Sequence, residues 1–454
     1  SGHTITNNGT LTIEGTGTVD NQTHQKAAIY NNEGGTVILN GGTYTRSKEA
    51  GKDAENSGGN SYYNVVNLGT MTINTDVKIT SGGHFSSLIE NGFYNGNGKT
   101  NNPKLTINGG TFSGGLNTVK NDDRGVLEIK GGTFTNVSQA AVLNWNNATI
   151  DGGTFQANTD AKAVILNGHI DGGMDQGKLT ITGGTFTGTG NTNIIQQMDG
   201  SGADAIGTVT ISGGTFETET GEIFNLKAGA EGKAKIQLSG GKFATSNEAS
   251  KGKLNDYVTA DSSFDPATGT VSVKEENAAA SVDGQNYRTL QAAIDAASNG
   301  TTVVLKKNVV ETVRVPAGKE LTLDLAGKNI ESNSEYGTVV SEGKLTVKDS
   351  TATAKPVVND DHTVTYVSGK ITNTHGKGSA LRAANGGEII LESGSVESTG
   401  NIGVYAQGNY TPGGEAQHSK ITVKGGYILA QECAASAQGN GATLDIQGGV
   451  LKAK

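Results

Sequence analysis

Residues 105–112 read LTINGGTF, and this stretch decides the fold. Apolar Leu105 and Ile107 alternate with polar residues, the period of two that sends successive side chains of a strand to opposite faces. The glycine pair that follows predicts a corner, because glycine adopts a positive φ at no steric cost. After that corner, Phe112 is expected to point back into the interior. The unit is therefore a strand, a corner and the start of a second strand.

Copies of this unit recur along the first half of the chain. The first glycine of each copy stands at positions 41, 82, 109, 131, 152, 183, 213 and 240, so that the shortest steps are 21 and 22 residues. A step of this length fits one turn of a three-sided coil with strands of about five residues. Helical solenoids are excluded because the glycine pairs would break every helix, and a propeller blade needs roughly 40–45 residues. We predict an all-β fold, a right-handed parallel β-helix solenoid.

Equivalent positions of stacked coils lie about 4.8 Å apart, so the repeat predicts columns of like side chains. One is an inward aromatic column of Phe112, Phe134, Phe155, Phe186, Phe216 and Phe243. A second is an outward threonine row of Thr111, Thr133, Thr154, Thr185 and Thr215. Between the glycine pairs, short apolar runs end in asparagine, which hydrogen-bonds readily to its copy in the next coil. This asparagine ladder would contain Asn31, Asn67, Asn91, Asn121, Asn144, Asn167 and Asn225, with Gln196 in the equivalent place.

The repeat changes character after Phe243, which predicts two stacked β-helical segments. We place the first parallel β-helix at 1–248, a terminal hairpin and linker at 249–282, and the second β-helix at 283–454. In the second segment the aromatic column is expected to be replaced by Ile371, Val396, Tyr427 and Val450.

A short amphipathic helix is expected at the start of the second segment. Tyr287, Leu290, Ile294 and Ala297 stand at helical spacing, with Asn286 or Thr289 as the N-cap and Gly300 as a stop. Such a helix would cover the open end of the stack, since an exposed coil is an edge prone to aggregation.

The composition of the chain excludes several classes of partner and of metal site. The 454 residues carry a net charge of −9 and a single cysteine, Cys433. An intrachain disulfide and a cysteine-rich zinc site are therefore excluded, and we expect that cysteine to be buried and inert. The chain has no Lys/Arg run suited to nucleic acid and no apolar stretch of the roughly 20 residues that span a bilayer. Because both ends fall in coil-like runs, we expect a fragment of a longer protein. We also expect the chain to be a monomer.

The predicted helix followed by LTLDLAGKNI (321–330), together with the LTIxGGTF coils, resembles the repeat-rich β-helix surface proteins of gut Gram-positive bacteria. These proteins are adhesin-like or pectate-lyase-like, and the resemblance extends over nearly the whole chain. It implies an extracellular or cell-surface location. Some surface proteins of such bacteria bind immunoglobulins, so the resemblance adds an immunoglobulin to the partners to be considered.

Four acidic groups are the candidates for catalysis, because paired carboxylates can act as acid and base. They are Asp122–Asp123, Asp171 with Asp175, Asp199 with Asp204, and Asp360–Asp361–His362. All lie in polar, insertion-like segments without a catalytic motif, and we interpret them as solvated loop acids. The seven histidines show no metal-ligand spacing, so we expect neither a metal nor a cofactor.

Binding is expected where the repeat is interrupted. The segments 93–104, 169–178 and 197–207 fall between an asparagine-ending strand and the next strand, and 409–420 falls at the same kind of corner in the second segment. Insertions at equivalent corners emerge on one side of a solenoid, often its binding side. Aromatic rings stack on sugars and anchor protein interfaces. Tyr94 and Tyr410 lie in such insertions, and Tyr62 and Tyr63 end a separate long loop at 46–63. Trp145 directly follows the ladder residue Asn144, so we expect it to project from a turn. The candidate binding residues are therefore Tyr62, Tyr63, Tyr94, Trp145 and Tyr410.

Three functions fit these observations. The first is a cell-surface or secreted adhesin-like protein that recognises a host glycan or a host protein, with immunoglobulin among the latter. The alternative is a carbohydrate-active β-helix enzyme, either a glycoside hydrolase or a polysaccharide lyase. A third is a passive stalk that projects another domain.

Overall fold

A computed structural model describes residues 2–23, 25–47, 62–81, 86–93, 99–159, 161–168, 177–197, 207–227, 235–352 and 355–454. The chain forms two compact units, Ser1–Val271 and Ser272–Lys454. Each is a parallel β-helix in which the chain visits three faces of mainly parallel strands in turn, as the repeat predicted. The division between the units lies inside the segment 249–282.

The first unit is built from sheets A, B and C. The strands of sheet A are Ile5–Asn7, Ile29–Asn31, Val65–Asn67, Ile89–Asn91, Asn117–Asn121, Ala140–Asn144, Ala163–Asn167, Asn193–Gln197 and Phe224–Leu226. The strands of sheet B are Thr10–Ile13, Lys104–Ile107, Val126–Ile129, Asn147–Ile150, Lys178–Ile181, Thr208–Ile211 and Lys235–Leu238. The strands of sheet C are Thr18–Asp20, Thr111–Ser113, Thr133–Val137, Thr154–Ala157, Thr185–Gly188, Thr215–Thr218 and Gly241–Ala244. Two long strands, Thr36–Thr45 and Thr70–Thr80, run through the corner and belong to both B and C.

The end of the first unit contains a short helix and a hairpin. Asn247 caps the helix Glu248–Lys253, which continues as the 3₁₀ turn Leu254–Tyr257. The hairpin strands are Ser262–Asp265 and Thr270–Val273, and the second pairs antiparallel with Gly241–Ala244. The hairpin was expected from the sequence, but the helix was not.

The aromatic column is confirmed. Neighbouring rings from Phe112 to Phe243 stack with centroids 4.5–4.9 Å apart and planes within 9° of each other. The second glycine of the pair makes this possible: Gly132 has a φ of +109°, and a Cβ there would lie 3.2 Å from the Phe112 ring. The threonine row is confirmed too, since Thr111, Thr133, Thr154, Thr185 and Thr215 pair in register.

The glycine pair of ITSGGHF (79–85) was expected to form a corner, but residues 82–85 lie outside the described residues. The preceding strand, Thr70–Thr80, already passes the corner position of its coil, where Asp76 and Val77 pair with Gly41 and Gly42. Ile79 consequently fills the column position between Tyr44 and Phe112. An aliphatic side chain therefore stands at a column position for which the motif suggested an aromatic residue.

The asparagine ladder is confirmed over most of its length, with corrections at both ends. It begins at Asn7, and each Nδ2 from Asn7 to Asn144 donates to the Oδ1 of the next asparagine at 2.8 Å. Asn167 then donates to Gln197 Oε1 at 3.1 Å, so Gln197 and not Gln196 is the ladder residue. Asn225 was assigned to the ladder wrongly, because it pairs with Gln196 on the outer face.

The second unit is built from sheets D, E and F. The strands of sheet D are Ala280–Val282, Gln285–Tyr287, Thr301–Leu305, Glu320–Asp324, Lys344–Lys348, Glu388–Leu391, Lys420–Val423 and Thr443–Ile446. The strands of sheet E are Val309–Val310, Asn329–Ser332, Lys370–Asn373, Ser395–Ser398, Tyr427–Ala430 and Val450–Ala453. The strands of sheet F are Val313–Val315, Gly337–Ser341, Ser379–Ala383, Ile402–Gln407 and Cys433–Gln438. A 3₁₀ turn at Glu275–Asn277 precedes these sheets, and a small hairpin joins Val357–Val358 to Val364–Thr365.

The capping helix is present at Leu290–Ala296. The Thr289 side chain accepts a hydrogen bond from Ala292 N, which makes Thr289 the N-cap. Leu290 and Ile294 are fully buried in the core of the second unit. The Glu311 carboxylate accepts a hydrogen bond from Leu290 N at 3.0 Å. Its negative charge is favourable there, because the N-terminus is the positive end of the helix dipole.

The inner column of the second unit is aliphatic, but two of its expected members are wrong. Val396 pairs with Ile428, and Ile428 pairs with Leu451. Tyr427 and Val450 therefore stand one residue before the column, where the first unit has its outward threonines. A one-residue register shift moves a side chain to the opposite face of the sheet.

Candidate functional site

An arginine sandwiched between two tyrosine rings marks the outer face of sheet F. Arg382 lies on the strand Ser379–Ala383, directly beside Tyr405 on the next strand. Its guanidinium carbon lies 4.0 Å from the centroid of the Tyr336 ring and 4.7 Å from that of Tyr405. Both distances are within the range of favourable cation–π contact.

Hydrogen bonds join this arginine to neutral polar side chains. Arg382 Nη1 donates to Gln407 Oε1 at 3.3 Å, and Arg382 Nε donates to Ser379 Oγ at 3.2 Å. The Tyr336 hydroxyl donates to the same Gln407 oxygen at 3.0 Å. Gln407 therefore fixes the Tyr336 ring and the guanidinium relative to each other.

Tyr410 extends the group from the adjacent insertion. Its hydroxyl contacts that of Tyr405 and donates to Gln438 Oε1 at 3.2 Å. The loop is held in place because Asn409 exchanges backbone hydrogen bonds with Asn440, and Asn409 Oδ1 accepts from Thr411 N at 2.8 Å. We call the set Tyr336, Arg382, Tyr405, Gln407, Tyr410 and Gln438 the tyrosine–arginine platform.

The platform combines exposed rings with a buried charge. Tyr410 is 56% exposed and Tyr336 is 38% exposed, whereas Arg382 is only 8% exposed. Burial lowers the pKa of Arg382 and raises the pKa of Tyr410. An exposed aromatic face beside polar groups of fixed orientation is the arrangement that binds a sugar or anchors a protein side chain.

A second group of aromatic and charged residues lies on the outer face of sheet A. It consists of His3, Tyr30, Tyr62, Tyr63, Glu90, Lys120, Asp122 and Trp145, which we call the sheet A belt. The His3 ring stacks on Tyr30 at 4.3 Å, and Tyr62 meets Tyr63 edge-on at 5.4 Å.

Tyr62 and Tyr63, two predicted binding residues, are only partly exposed. Arg46 holds this stretch of chain, since its Nη1 donates to Tyr62 O at 2.9 Å. Burial raises the pKa of Tyr62 to about 12 and raises that of Tyr63 further. The structure thus brings the two tyrosines together with His3 and Tyr30.

At the centre of the belt, two carboxyl groups share a hydrogen bond. The Glu90 side chain is hydrogen-bonded to Asp122 and to Tyr63, and burial raises its pKa to about 8, with Asp122 adding to the shift and Lys120 opposing it. Lys120 Nζ lies 2.6 Å from Asp122 Oδ2. Asp122 and Asp123 have no exposed surface, so their interpretation as solvated loop acids was wrong. The other acidic group in the described part of the chain, Asp360–Asp361–His362, is exposed as expected.

Trp145 was expected to project from a turn, and that expectation is wrong. It is 8% exposed and packs with Ala140, Leu143, Ala163 and Leu166. Lys120 Nζ lies 4.3 Å from the centroid of its ring. Leu143, two residues before Trp145, and Leu166 on the adjacent strand both face outward and pack with the indole. The alternation of these leucines with inward-facing residues was the sequence signal that could have shown the burial of Trp145.

The remaining predicted binding and catalytic residues differ in whether the structure describes them. Tyr410 is exposed, and the insertions do follow strands of sheet A or sheet F, as predicted. Tyr94, Asp171 with Asp175, and Asp199 with Asp204 lie outside the described residues. Sequence reasoning missed Tyr336, Arg382, Tyr405 and Glu90, because only the pairing of strands places them beside one another.

Other kinds of site have little support. Within the described ranges, no three His, Cys, Asp or Glu side chains come together as a metal site requires. Cys433 is half-buried, not buried as expected. Among the helices that the structure describes, none has the length and apolar character needed to cross a membrane.

No protein-family model matches the chain, and no curated protein is significantly similar to it. The site geometry must therefore carry the functional argument.

Proposed function

We propose that this chain is an adhesin-like binding protein of the bacterial cell surface, or a secreted one, which recognises a host glycan or a host glycoprotein. The observation that carries the proposal is the tyrosine–arginine platform. Tyr336 and Tyr410 offer exposed ring faces, while Gln407 and Gln438 fix the polar groups around them. The resemblance to β-helix surface proteins of gut bacteria supports the location.

A glycan array and pull-downs from mucin and serum test this proposal, with immunoglobulin as one protein to be looked for. The double variant Tyr336→Ala/Tyr410→Ala is expected to lose at least tenfold in affinity for whatever the wild-type protein binds. Tyr427→Ala removes a half-buried tyrosine from sheet E and serves as the matched control. Failure of the wild-type protein to bind in all three assays would contradict the proposal.

A second candidate, a carbohydrate-active enzyme, is favoured by the Glu90–Asp122 pair. A carboxyl group that keeps its proton near neutral pH suits a general acid. However, the two carboxyl groups of glycosidases stand roughly 5–10 Å apart, whereas these two are hydrogen-bonded and buried. Binding is therefore better supported than catalysis.

The enzyme candidate has its own test. The protein is incubated with mucin, pectin and mixed plant polysaccharides, and the release of reducing ends or unsaturated products is measured. Release that Glu90→Gln abolishes would establish catalysis at the pair. Glu128→Gln, a change at a partly exposed carboxylate of sheet B that lies outside the belt, is the control.

A further inference from the structure

Arg382 is a buried cation that forms no ion pair with a carboxylate of the described residues. Its hydrogen-bond partners are the neutral side chains of Ser379, Gln407 and Tyr336, and the rings of Tyr336 and Tyr405 lie within cation–π distance. Buried charges are ordinarily paired, because an unpaired charge loses its hydration without compensation. Lys120 in the first unit follows that rule, with Asp122 at 2.6 Å.

The positive charge of this guanidinium is surrounded by neutral partners. It carries more N–H donors than the neutral side chains of Ser379, Gln407 and Tyr336 that bond to it. Tyr336, an exposed ring of the platform, lies over the guanidinium. Tyr410, the most exposed ring, contacts Tyr405, which is the second tyrosine beside Arg382. A ligand seated on these rings would therefore bring its substituents close to a cation that has no anionic partner among the described residues.

We infer that the platform recognises an acidic sugar through its carboxylate. The carboxylate accepts hydrogen bonds from N–H groups of Arg382, a charge-assisted pairing that guanidinium groups favour, and the sugar ring packs on Tyr410. This inference rests on the proposed binding function and names the class of ligand.

Calorimetric titration tests the inference with three probes: N-acetylneuraminic acid, glucuronic acid and neutral glucose. We expect the better acidic probe to bind at least tenfold more tightly than glucose, with an affinity that falls as salt is added. Arg382→Gln is expected to reduce that affinity at least tenfold, and Arg382→Lys at least threefold. The control is Arg314→Gln, an arginine that points outward from the same sheet but is paired with Glu342 at 2.9 Å.

Gln407→Glu protects the test against misfolding of the arginine variants. It is isosteric and places a carboxylate beside Arg382, so we expect it to abolish acidic-sugar binding while the protein remains folded. If glucose binds as tightly as the acids, or if Gln407→Glu and Arg382→Gln leave acid binding unchanged, the inference is overturned. Neutral-sugar or glycoprotein binding that Tyr336→Ala/Tyr410→Ala abolishes would then leave the proposed function standing. If the wild-type protein binds neither neutral sugars nor glycoproteins, the inference and the proposed function are both contradicted.

Discussion

The sheet A belt and the tyrosine–arginine platform occupy comparable places in their units and differ in how their charges are balanced. Each lies on the outer face of the sheet from which the insertions emerge. In the belt, Lys120 pairs with Asp122, and Glu90 shares a hydrogen bond with the same carboxylate. In the platform, Arg382 has neutral partners only, and two of its tyrosines are exposed. Similar residue types can therefore stabilise a unit when their charges are balanced, as in the belt, or provide a binding surface when a charge has only neutral partners, as we propose for the platform.

The largest expected effect is the loss of the buried lysine. Lys120→Ala leaves the Glu90–Asp122 pair without a cation, and breaking a buried pair in this way costs roughly 3–5 kcal/mol of unfolding free energy. Urea denaturation measures the change. Lys130→Ala, at an exposed lysine, is the control and is expected to change stability by less than about 0.5 kcal/mol. Equal effects of the two substitutions would show that the belt is not a stabilising ion-pair group.

The pH dependence of stability sharpens the same contrast. Burial raises the pKa of Glu90 in the folded chain to about 8 from its ordinary value of 4.5, so the folded chain keeps the proton between these two values while the unfolded chain loses it. Stability should therefore be greatest below pH 4.5 as far as Glu90 is concerned. It should fall by about 1.4 kcal/mol per pH unit as the pH rises towards 8, and then level off. Glu90→Gln is expected to remove that slope from urea midpoints recorded across the range; an unchanged slope would contradict the assignment.

Two aromatic substitutions compare burial in the belt with exposure in the platform. Trp145→Ala is expected to cost roughly 3 kcal/mol, because it removes a buried ring and leaves a cavity. Tyr410→Ala should change stability by less than about 1 kcal/mol, since that ring is more than half exposed. Thermal unfolding separates the two. Acrylamide quenching of Trp145, the only tryptophan, should be weak in the folded protein, and strong quenching would contradict its burial.

The smallest effect is expected at the unpaired arginine. Arg382→Ala loses two cation–π contacts of about 0.5–2 kcal/mol each but also removes an uncompensated buried charge. The two terms oppose each other, so the net change in unfolding free energy should stay within about 1 kcal/mol. A loss as large as that of Lys120→Ala would make Arg382 a structural residue, not a ligand-binding one.

Much of the fold could be predicted because the repeat is local. The phenylalanine column, the threonine row and the cap at Thr289 follow from period-two strands, glycine corners and N-cap chemistry. The errors share a cause. Where a coil contains an insertion or lacks its aromatic residue, nothing local fixes the register. The sequence therefore assigned Gln196, Tyr427 and the motif that ends at Phe85 to positions that Gln197, Ile428 and Ile79 occupy.

The candidate site was less predictable than the fold. The exposure of Tyr410 followed from its place in an insertion. The burial of Trp145 did not, because it depends on Lys120 and Leu166, which strand pairing places on either side of Leu143. Arg382 carried no signal as a single residue in the alternating run SALRA (379–383).

By itself, the sequence determined a parallel β-helix with a polar outer surface, because each coil encodes its own strands and corners. The tertiary structure alone decided which outward side chains of different coils meet. Parallel pairing joins residues 20 or more positions apart, and the lengths of the insertions set which pairs these are. The first unit thereby gained a buried acid pair with its lysine. The second gained an arginine beside two tyrosine rings, which forms no ion pair within the described part of the chain.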